Sequence, residues 1–409
     1  MHKGLLKSIS YLYILHACGN ILPLITIPYL SWTLGLRCFG EVQIAISFSV
    51  LGTIFTDWGF GLSGTHCIAK LKSDRGLVST FVVNAIAAKF ILYSIWFILA
   101  IFVDIFYYRG RLSSYFFISL IIVSSNAFAP IWIYQGLERF TESAVTSISA
   151  RVLSTMLIFV FVRSPDDAIY ILVLNVVAGL VISSILWLRL PFIRQFRVSL
   201  VSTSYIRKIL AEGAEVFSTT MMISWYTSCA LILVGFVGGS HAAGLYSISE
   251  KIVSAAKTLM NPVVQVLYVR ISSFVNISRA EFLSVTKVYF VLLFICFAVG
   301  CAVVIVFRNL IFSFVFHVSE AGAGAVLVPL VLTLPVLVLA HWCVTLGLLG
   351  RGRRREWRNV IISGSIVSIC VAAALYPLLS TEVAIAYSVL AAELGILIFG
   401  YMNWKKAWL

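Results

Sequence analysis

The sequence predicts an all-α polytopic membrane protein of about 12 transmembrane helices, and three observations support this prediction. Hydrophobic residues make up 61% of the 409 residues, whereas charged residues make up only 11%. The mean hydropathy of +1.03 is too high for a water-soluble domain of this length. Apolar stretches of about 20 residues, the length of a helix that crosses a bilayer, recur to the end of the chain.

Twelve spans are predicted, six on each side of a basic loop at 189–208. The first six lie near 8–34, 41–64, 77–103, 113–135, 143–162 and 169–190, and the other six lie near 209–237, 245–269, 284–306, 322–349, 359–378 and 383–403. Because the first apolar stretch runs on into the next, we interpret it as a span rather than as a cleaved export signal. The loop predicts an N-terminal six-helix lobe over residues 1–200 and a C-terminal six-helix lobe over 201–409.

A weak internal repeat supports two related lobes. The segment from Gly35 to Gly40 follows the first span, and the segment from Gly239 to Gly244 follows the seventh at an offset of 204 residues. An even number of spans per repeat makes the repeats parallel, with a pseudo-twofold axis along the membrane normal. The predicted architecture is therefore two pseudo-symmetric lobes around a central cavity.

The distribution of basic residues explains the formal net charge of +14. If the N-terminus is cytoplasmic, 20 of the 30 basic residues lie in loops or termini on that side, five lie on the opposite side and five lie within spans. Such an asymmetry predicts that both termini are cytoplasmic. The excess charge then orients the chain and attracts anionic membrane lipids, so no nucleic acid partner is expected.

Four basic residues, Lys89, Arg151, Lys251 and Lys257, are predicted to lie well inside spans. A basic side chain at mid-bilayer costs about 2.5–3.5 kcal/mol, so each should face water or a partner rather than lipid. They form either the lining of a substrate cavity or internal ion pairs. In the eighth span the polar residues around Glu250, Lys251 and Lys257 share one broad helical face, which fits both interpretations.

Three acidic residues are candidates for gating or ion coupling. Asp57 lies near glycines in the second span, where it could form a gate, bind a coupling ion or make a hydrogen bond between helices. Glu215 lies near the predicted start of the seventh span, where the helix dipole alone favours a carboxylate. Glu250 could instead neutralise Lys251 or Lys257.

No pattern for soluble chemistry occurs in the sequence. It has no phosphate-binding glycine loop and no metal-ligand cluster, and its six histidines are scattered. We therefore expect neither catalytic residues nor a bound metal or cofactor, and the protein is not expected to be an enzyme. Without a nucleotide site, an ion gradient or a substrate gradient remains as the source of energy.

Several segments resemble the O-antigen flippases (Wzx type), which belong to the polysaccharide transporter family of the superfamily that also holds multidrug extruders. The matching residues are Pro28-Tyr29-Leu30, Leu34-Gly35, Phe39-Gly40, Asp57-Trp58-Gly59-Phe60, the run from Pro130 to Glu138, Gly244-Leu245-Tyr246-Ser247 and Pro262. The run from Pro130 to Glu138 is the most specific. Val269 departs from the proline that the family often has at this position.

The resemblance implies an inner-membrane protein that moves undecaprenyl-pyrophosphate-linked O-antigen oligosaccharide units from the cytoplasmic to the periplasmic leaflet. It also implies two lobes, a cationic cavity and alternating access, with proton or sodium coupling as an option. Lys89, Arg151, Lys251 and Lys257 have the residue type and depth expected of that cavity. The implied partners are the lipid-linked oligosaccharide and membrane lipids, with the O-antigen polymerase and the chain-length regulator as further candidates.

Three other functions are kept as alternatives. An exporter of another lipid-linked polysaccharide, for capsule or exopolysaccharide, would share every feature above. A multidrug extruder of the same superfamily should line its path with carboxylates, whereas basic residues outnumber acidic ones inside these spans. A membrane O-antigen polymerase would need a large periplasmic loop, and the longest one predicted, about 307–321, is short.

Overall fold

The chain is mostly helical in the part that the computed structural model describes, which is residues 2–103, 105, 114–190, 200–272, 278–318 and 323–407. No strand occurs among these residues. The α-helices are α1 His2–Asp57, α2 Phe60–Leu71, α3 Arg75–Val103, α4 Ser114–Ala127, α5 Ile131–Gly136, α6 Phe140–Phe161, α7 Ala168–Leu188, α8 Thr203–Trp225, α9 Ser228–Ser272, α10 Arg279–Val306, α11 Arg308–Leu310, α12 Ala323–Ala340, α13 Arg354–Leu375 and α14 Thr381–Ala407. Short π-helical segments lie at Ile311–Val315 and His341–Leu346.

Ten helical segments among the described residues are long and apolar enough to cross a membrane. Two of them, Ile25–Leu71 and Ser228–Ser272, bend sharply at a glycine with a non-helical backbone. Dividing these two segments at their glycines gives twelve helical pieces in all. The piece of α9 before its glycine is too short to cross a bilayer alone, and it follows α8 after a two-residue turn. The predicted all-α, polytopic fold is confirmed.

The two bends lie at equivalent positions of the internal repeat. Gly35 has φ of 70° and ψ of 163°, and Gly239, 204 residues later, has φ of 84° and ψ of 173°. Glycine is the residue that adopts a positive φ without steric cost. The spacing seen in the sequence therefore corresponds to one backbone turn made twice.

The segments that follow the two bends contact each other reciprocally. A Cβ atom at Gly40 would overlap the carbonyl oxygen of Ser240, and a Cβ atom at Gly244 would overlap the carbonyl oxygen of Leu36. An offset of 204 residues exchanges one contact for the other. Such a pair of contacts is typical of a local twofold relation between repeats.

Helix breaks occur where the backbone cannot continue. After α1, Trp58 and Gly59 adopt left-handed conformations with φ of 47° and 82°. Between α4 and α5, Pro130 lacks the N–H that a helix needs at this point. By contrast, helices continue through Pro262, Pro329 and Pro335. A helix therefore ends before Pro130 but not at these three prolines.

Contacts between Cα atoms divide the chain into two compact units. Unit 1 comprises residues 1–22 and 41–224, and unit 2 comprises residues 23–40 and 225–409. Helix α8 thus belongs to unit 1, and the segment 23–40 belongs to unit 2. The six-helix lobes over 1–200 and 201–409 remain a prediction. Four residues used in the charge count, Arg109, Arg111, Arg194 and Arg197, lie outside the described residues.

Each unit has its own aromatic core. In unit 1 the core includes Phe60, Phe81 and Trp132, and the Tyr134 hydroxyl donates a 2.7 Å hydrogen bond to the carbonyl oxygen of Leu186. In unit 2, Trp342 packs beside Phe282, Phe290 and Trp404. Its indole Nε1 donates to Thr286 Oγ1 at 2.8 Å.

Candidate functional site

Lys89 and Asp57 form a buried ion pair in unit 1. The Lys89 side chain is 2% exposed, and its Nζ lies 2.6 Å from Oδ1 of Asp57, which is 29% exposed. The same ammonium donates to the carbonyl oxygen of Ala127 at 2.8 Å and lies 5.7 and 5.4 Å from the ring centroids of Phe60 and Trp132. Aromatic faces attract a cation. The ammonium therefore has favourable contacts on several sides.

The helix breaks create this arrangement. Ala127 is the last residue of α4, where carbonyl oxygens have no partner within the helix, so its oxygen is available to Lys89. Asp57 is the last residue of α1, and its Oδ2 accepts the backbone N–H of Gly61 at 2.9 Å, in the first turn of α2. Backbone N–H groups at a helix start stabilise a carboxylate. Lys89 and the start of α2 thus share the charge of Asp57.

Arg151 lies in the middle of α6 with a different environment. Its side chain is exposed, and its guanidinium makes no hydrogen bond or ion pair with any described residue. Ala144, Ser147 and Ile158, at spacings of seven, four and seven residues, lie on the same side of the helix and are buried. The outward stripe through Val145 and Met156 lies on another side. Arg151 is therefore exposed, although it lies on a side of the helix that otherwise packs inward.

Ser147 adds an unpaired polar group one turn before Arg151. It is 3% exposed, and its Oγ has no hydrogen-bond partner among the described residues. A buried hydroxyl without a partner costs about 1–3 kcal/mol. Ser147 and Arg151 thus each carry a polar group without a partner among the described residues.

Glu215 is exposed in α8. The helix begins at Thr203, so Glu215 lies more than three turns inside it. The interpretation that Glu215 lies at a helix start and is favoured by the dipole there is therefore wrong, because the dipole effect falls off within the first turn. Its carbonyl oxygen accepts the hydroxyls of Ser218 and Thr219, both at 3.0 Å.

Unit 2 contains the other predicted residues, on α9. Lys251 Nζ lies 3.0 Å from Oε2 of its neighbour Glu250, and both side chains are 32% exposed. Lys257, two turns further on, is partly buried and makes no hydrogen bond or ion pair with a described residue. The structure thus pairs Lys251 and leaves the Lys257 ammonium without a close carboxylate.

Sequence reasoning missed one residue near Lys257. Glu393 in α14 is 3% exposed and interacts electrostatically with Lys257, as does His341 at the start of a π-helical segment. Glu393 is the only charged residue in the stretch 383–403. A lone carboxylate in an otherwise apolar span is the signal that could have identified it.

The predicted residues therefore fall into three groups, namely two ion pairs, two cations without a close acidic partner among the described residues, and Glu215 alone. The structure brings together Asp57 with Lys89 and Glu250 with Lys251. Arg151 and Lys257 each present a cation without a close acidic partner among the described residues. Their roles in a substrate cavity, and those of the three acidic residues in gating or ion coupling, remain predictions.

Known proteins match this chain over most of its length. Residues 5–275 match the family model described as "Polysaccharide biosynthesis protein". The "Putative O-antigen transporter" of Escherichia coli (strain K12) is 26% identical over 401 residues, which cover 95% of this chain and 94% of that relative. The protein of the same name from Shigella dysenteriae is 24% identical over 375 residues, covering 90% and 91%.

Solved structures show the same fold at low identity. An inward-facing multidrug resistance MATE family transporter of the MOP superfamily has a TM-score of 0.66 at 16% identity, covering 95% of this chain and 96% of that one. An MOP superfamily transporter from Pyrococcus furiosus, described by the reverse polarity of its binding pocket, has a TM-score of 0.56 at 16% identity, covering 98% and 94%. The family resemblance seen in the sequence is confirmed. The chain therefore belongs to the polysaccharide biosynthesis protein family, and it has the fold of transporters of the MOP superfamily.

Proposed function

We propose that this protein is a flippase that moves undecaprenyl-pyrophosphate-linked O-antigen oligosaccharide units from the cytoplasmic to the periplasmic leaflet by alternating access. The family match and the two relatives named as O-antigen transporters support transport of a polysaccharide precursor. The same relatives favour a transporter over a membrane polymerase. The lipid-linked form of the substrate rests on the chemistry of the site.

The observation that carries the proposal is the environment of Arg151. A guanidinium in the middle of a membrane helix, without a partner among the described residues, requires an anionic partner or water. A diphosphate meets this requirement, because arginine offers a planar set of donors that matches phosphate oxygens. In unit 2, Lys257 is the corresponding unpaired cation.

The substrate has three parts with different needs. Its diphosphate would contact an unpaired cation such as Arg151 or Lys257, while polar and aromatic side chains would contact the sugars. Its polyprenyl chain would stay in lipid, because transfer of so many CH₂ groups into water costs about 0.8 kcal/mol for each. A path open to lipid along one side is therefore part of the proposed mechanism.

The acidic residues argue against a multidrug extruder. A path for cationic drugs needs carboxylates that are free to bind them, whereas Asp57 and Glu250 each hold a lysine. We propose that Asp57, Glu250 and Glu215 act in gating or ion coupling, where protonation or sodium binding would weaken such pairs. An exporter of capsule or exopolysaccharide units remains the second candidate, because its substrate carries the same diphosphate.

We also propose that the protein lies in the bacterial inner membrane with both termini in the cytoplasm. The asymmetry of basic residues supports this orientation. There it would receive lipid-linked units on the cytoplasmic side and deliver them to the O-antigen polymerase and the chain-length regulator.

The function is tested by deleting the gene in a strain with a known O-antigen. We expect lipid-linked units to accumulate in the cytoplasmic leaflet and no O-antigen sugar to reach lipopolysaccharide. Loss of a polymerase would instead leave single units attached to lipopolysaccharide, because these units have already crossed. Full-length O-antigen in the deletion strain, with no related transporter present, would refute the flippase function.

A second arm separates the two polysaccharide classes. The same deletion is scored for capsule and exopolysaccharide by sugar analysis of material released from the cell surface. Loss of one of these polymers with normal lipopolysaccharide would identify the second candidate. Complementation by the wild-type gene is the control in both arms.

A further inference from the structure

We propose that Glu393 is a proton-binding residue, and that its protonation frees Lys257 to bind an anionic ligand. The proposal rests on the proposed function, because the ligand is taken to be the diphosphate of the substrate. It concerns only residues of unit 2. Neither residue takes part in a hydrogen bond or a close ion pair with a described residue.

Burial of Glu393 is the first step of the argument. Its side chain is 3% exposed and lies in the middle of α14. An ionised carboxylate without hydrogen bonds is costly inside a protein, so it takes up a proton or has a cation near it. Glu393 therefore needs either a bound proton or a cation near its carboxylate.

Lys257 supplies the cation. It comes from α9, which packs against α14, and it interacts electrostatically with Glu393, although the two groups do not form an ion pair within 4 Å. Lys251, on the same helix, lies 3.0 Å from Glu250 and is therefore neutralised locally. Of the two lysines, only Lys257 depends on a distant carboxylate for its balance of charge.

The other helices around Glu393 leave few groups that could compensate for it. Tyr226, just before α9, interacts electrostatically with Glu393, and His341 interacts with Lys257 while its Nδ1 lies 2.8 Å from Thr345 Oγ1. Helix α12 has no titratable side chain. The charged residues of α13 lie within its first five residues, and its only other titratable residue, Cys370, is exposed.

Two charge states follow from this arrangement. When Glu393 is ionised, its attraction for Lys257 competes with any bound anion. When a proton from water binds to a carboxylate oxygen of Glu393, the Lys257 charge is unbalanced and favours an anion. Proton binding and anion binding therefore strengthen each other by the same factor.

The experiment measures protons taken up when inorganic pyrophosphate binds to the full-length protein in detergent. Binding is measured by calorimetry, and proton uptake is measured with a pH-indicator dye in weakly buffered solution. We expect Glu393→Gln to take up fewer protons per bound pyrophosphate than wild type, by up to about one. Changes in the protonation of pyrophosphate itself are the same in both proteins and cancel in the difference.

Two further variants complete the test. Glu382→Gln, in the first turn of the same helix, should behave like wild type. Lys257→Gln should lose most pyrophosphate binding, and it keeps the test usable if Glu393→Gln does not fold. In that case the affinity for pyrophosphate is measured at pH 6 and pH 8 for wild type and for Lys257→Gln. The gain in affinity at pH 6 should be larger in wild type than in Lys257→Gln.

The outcomes separate this inference from the proposed function. Normal binding with equal proton uptake in wild type and Glu393→Gln overturns the role of Glu393 and leaves the flippase function standing. A loss of proton uptake in His341→Gln alone assigns the proton to His341 and also overturns the inference. If wild type does not bind pyrophosphate, both the inference and the proposed diphosphate site fail.

Discussion

The ammonium nitrogen of Lys89 lies 2.6 Å from Oδ1 of Asp57, although the two residues are 32 positions apart and belong to different helices. The carboxylate is partly exposed and also accepts a backbone N–H, whereas the ammonium is buried. The two partners therefore depend on each other unequally. Without its partner, the buried ammonium of Lys89 would be less well compensated than the carboxylate of Asp57.

This asymmetry predicts different effects of removing each partner. Asp57→Asn should lower the free energy of unfolding by about 3–5 kcal/mol, because it leaves a buried cation unpaired. Lys89→Met should cost less, since Asp57 keeps the Gly61 N–H and contact with water. The free energy of unfolding of the double variant should be close to that of Lys89→Met. Unfolding in one detergent, followed by tryptophan fluorescence, measures all three.

An exposed ion pair provides the control for this series. Lys72 lies 2.8 Å from Glu138, with side chains 47% and 65% exposed. Lys72→Met should cost less than about 1 kcal/mol, as is usual for surface pairs. Equal losses in Asp57→Asn and Lys72→Met would contradict the buried-pair interpretation.

Arg151→Ala should strongly reduce transport without loss of stability. The guanidinium has no partner among the described residues, so its removal leaves no protein group unsatisfied. Loss of charged hydrogen bonds worth about 1.5–3 kcal/mol corresponds to roughly 10- to 100-fold weaker substrate binding. O-antigen restored in the deletion strain and the unfolding temperature of the purified variant are the two readouts.

Arg163→Ala is the matched control for Arg151→Ala. Arg163 is exposed just beyond the end of α6, so its loss should leave O-antigen synthesis unchanged. Full activity of Arg151→Ala would show that this guanidinium is not part of the substrate path. A sharp fall in its unfolding temperature would instead assign it a structural role.

The reciprocal contact of Gly40 and Gly244 predicts that an alanine at either position destabilises the protein. A Cβ at each glycine meets a backbone carbonyl, which cannot move without shifting a helix. The effects should not add in the double variant, because both substitutions force apart the same two segments. Thermal unfolding of the two single variants and the double variant tests this.

Gly300→Ala is the control for the glycine variants. A Cβ at Gly300, in α10, meets no atom within 4 Å. The substitution should be neutral or stabilising by up to about 1 kcal/mol, because alanine favours a helix more than glycine does. Additive losses for Gly40→Ala and Gly244→Ala would disprove a shared contact.

The predicted orientation can be tested with single cysteines in a variant that lacks the native ones. Asp166 and Arg354 are both exposed, and they are predicted to lie on the periplasmic and cytoplasmic sides respectively. A membrane-impermeant maleimide added to spheroplasts should label Asp166→Cys at once and Arg354→Cys only after lysis. The reverse pattern would invert the topology.

The sequence predicted the helices better than the site because span length and hydropathy are local properties. The repeated glycines at 35 and 239 were also visible as a spacing, and the structure gives both the same turn. Asp57 and Lys89 were each recognised as unusual. Their pairing was not predicted, because it depends on two helix breaks. The break at Trp58-Gly59 sets where α2 begins, and the break before Pro130 sets where α4 ends.

The remaining misses have the same cause. Whether a cation in a span is paired, as Lys251 is, or unpaired, as Arg151 is, depends on residues far away in sequence. Glu393 was overlooked because a single acidic residue in an apolar span has no periodic pattern around it. Tertiary contacts, not propensity, determine these cases.

The grouping of residues 23–40 with unit 2 has a consequence for biosynthesis. These residues leave the ribosome early, yet their contacts, such as the 3.4 Å bond from Ser31 Oγ to the carbonyl oxygen of Phe316, lie up to 285 residues later in the chain. Closing so long a loop is slow. Residues 23–40 must therefore stay in the bilayer without such contacts until Phe316 has been synthesised, and they are exposed to misassembly and degradation during this stage.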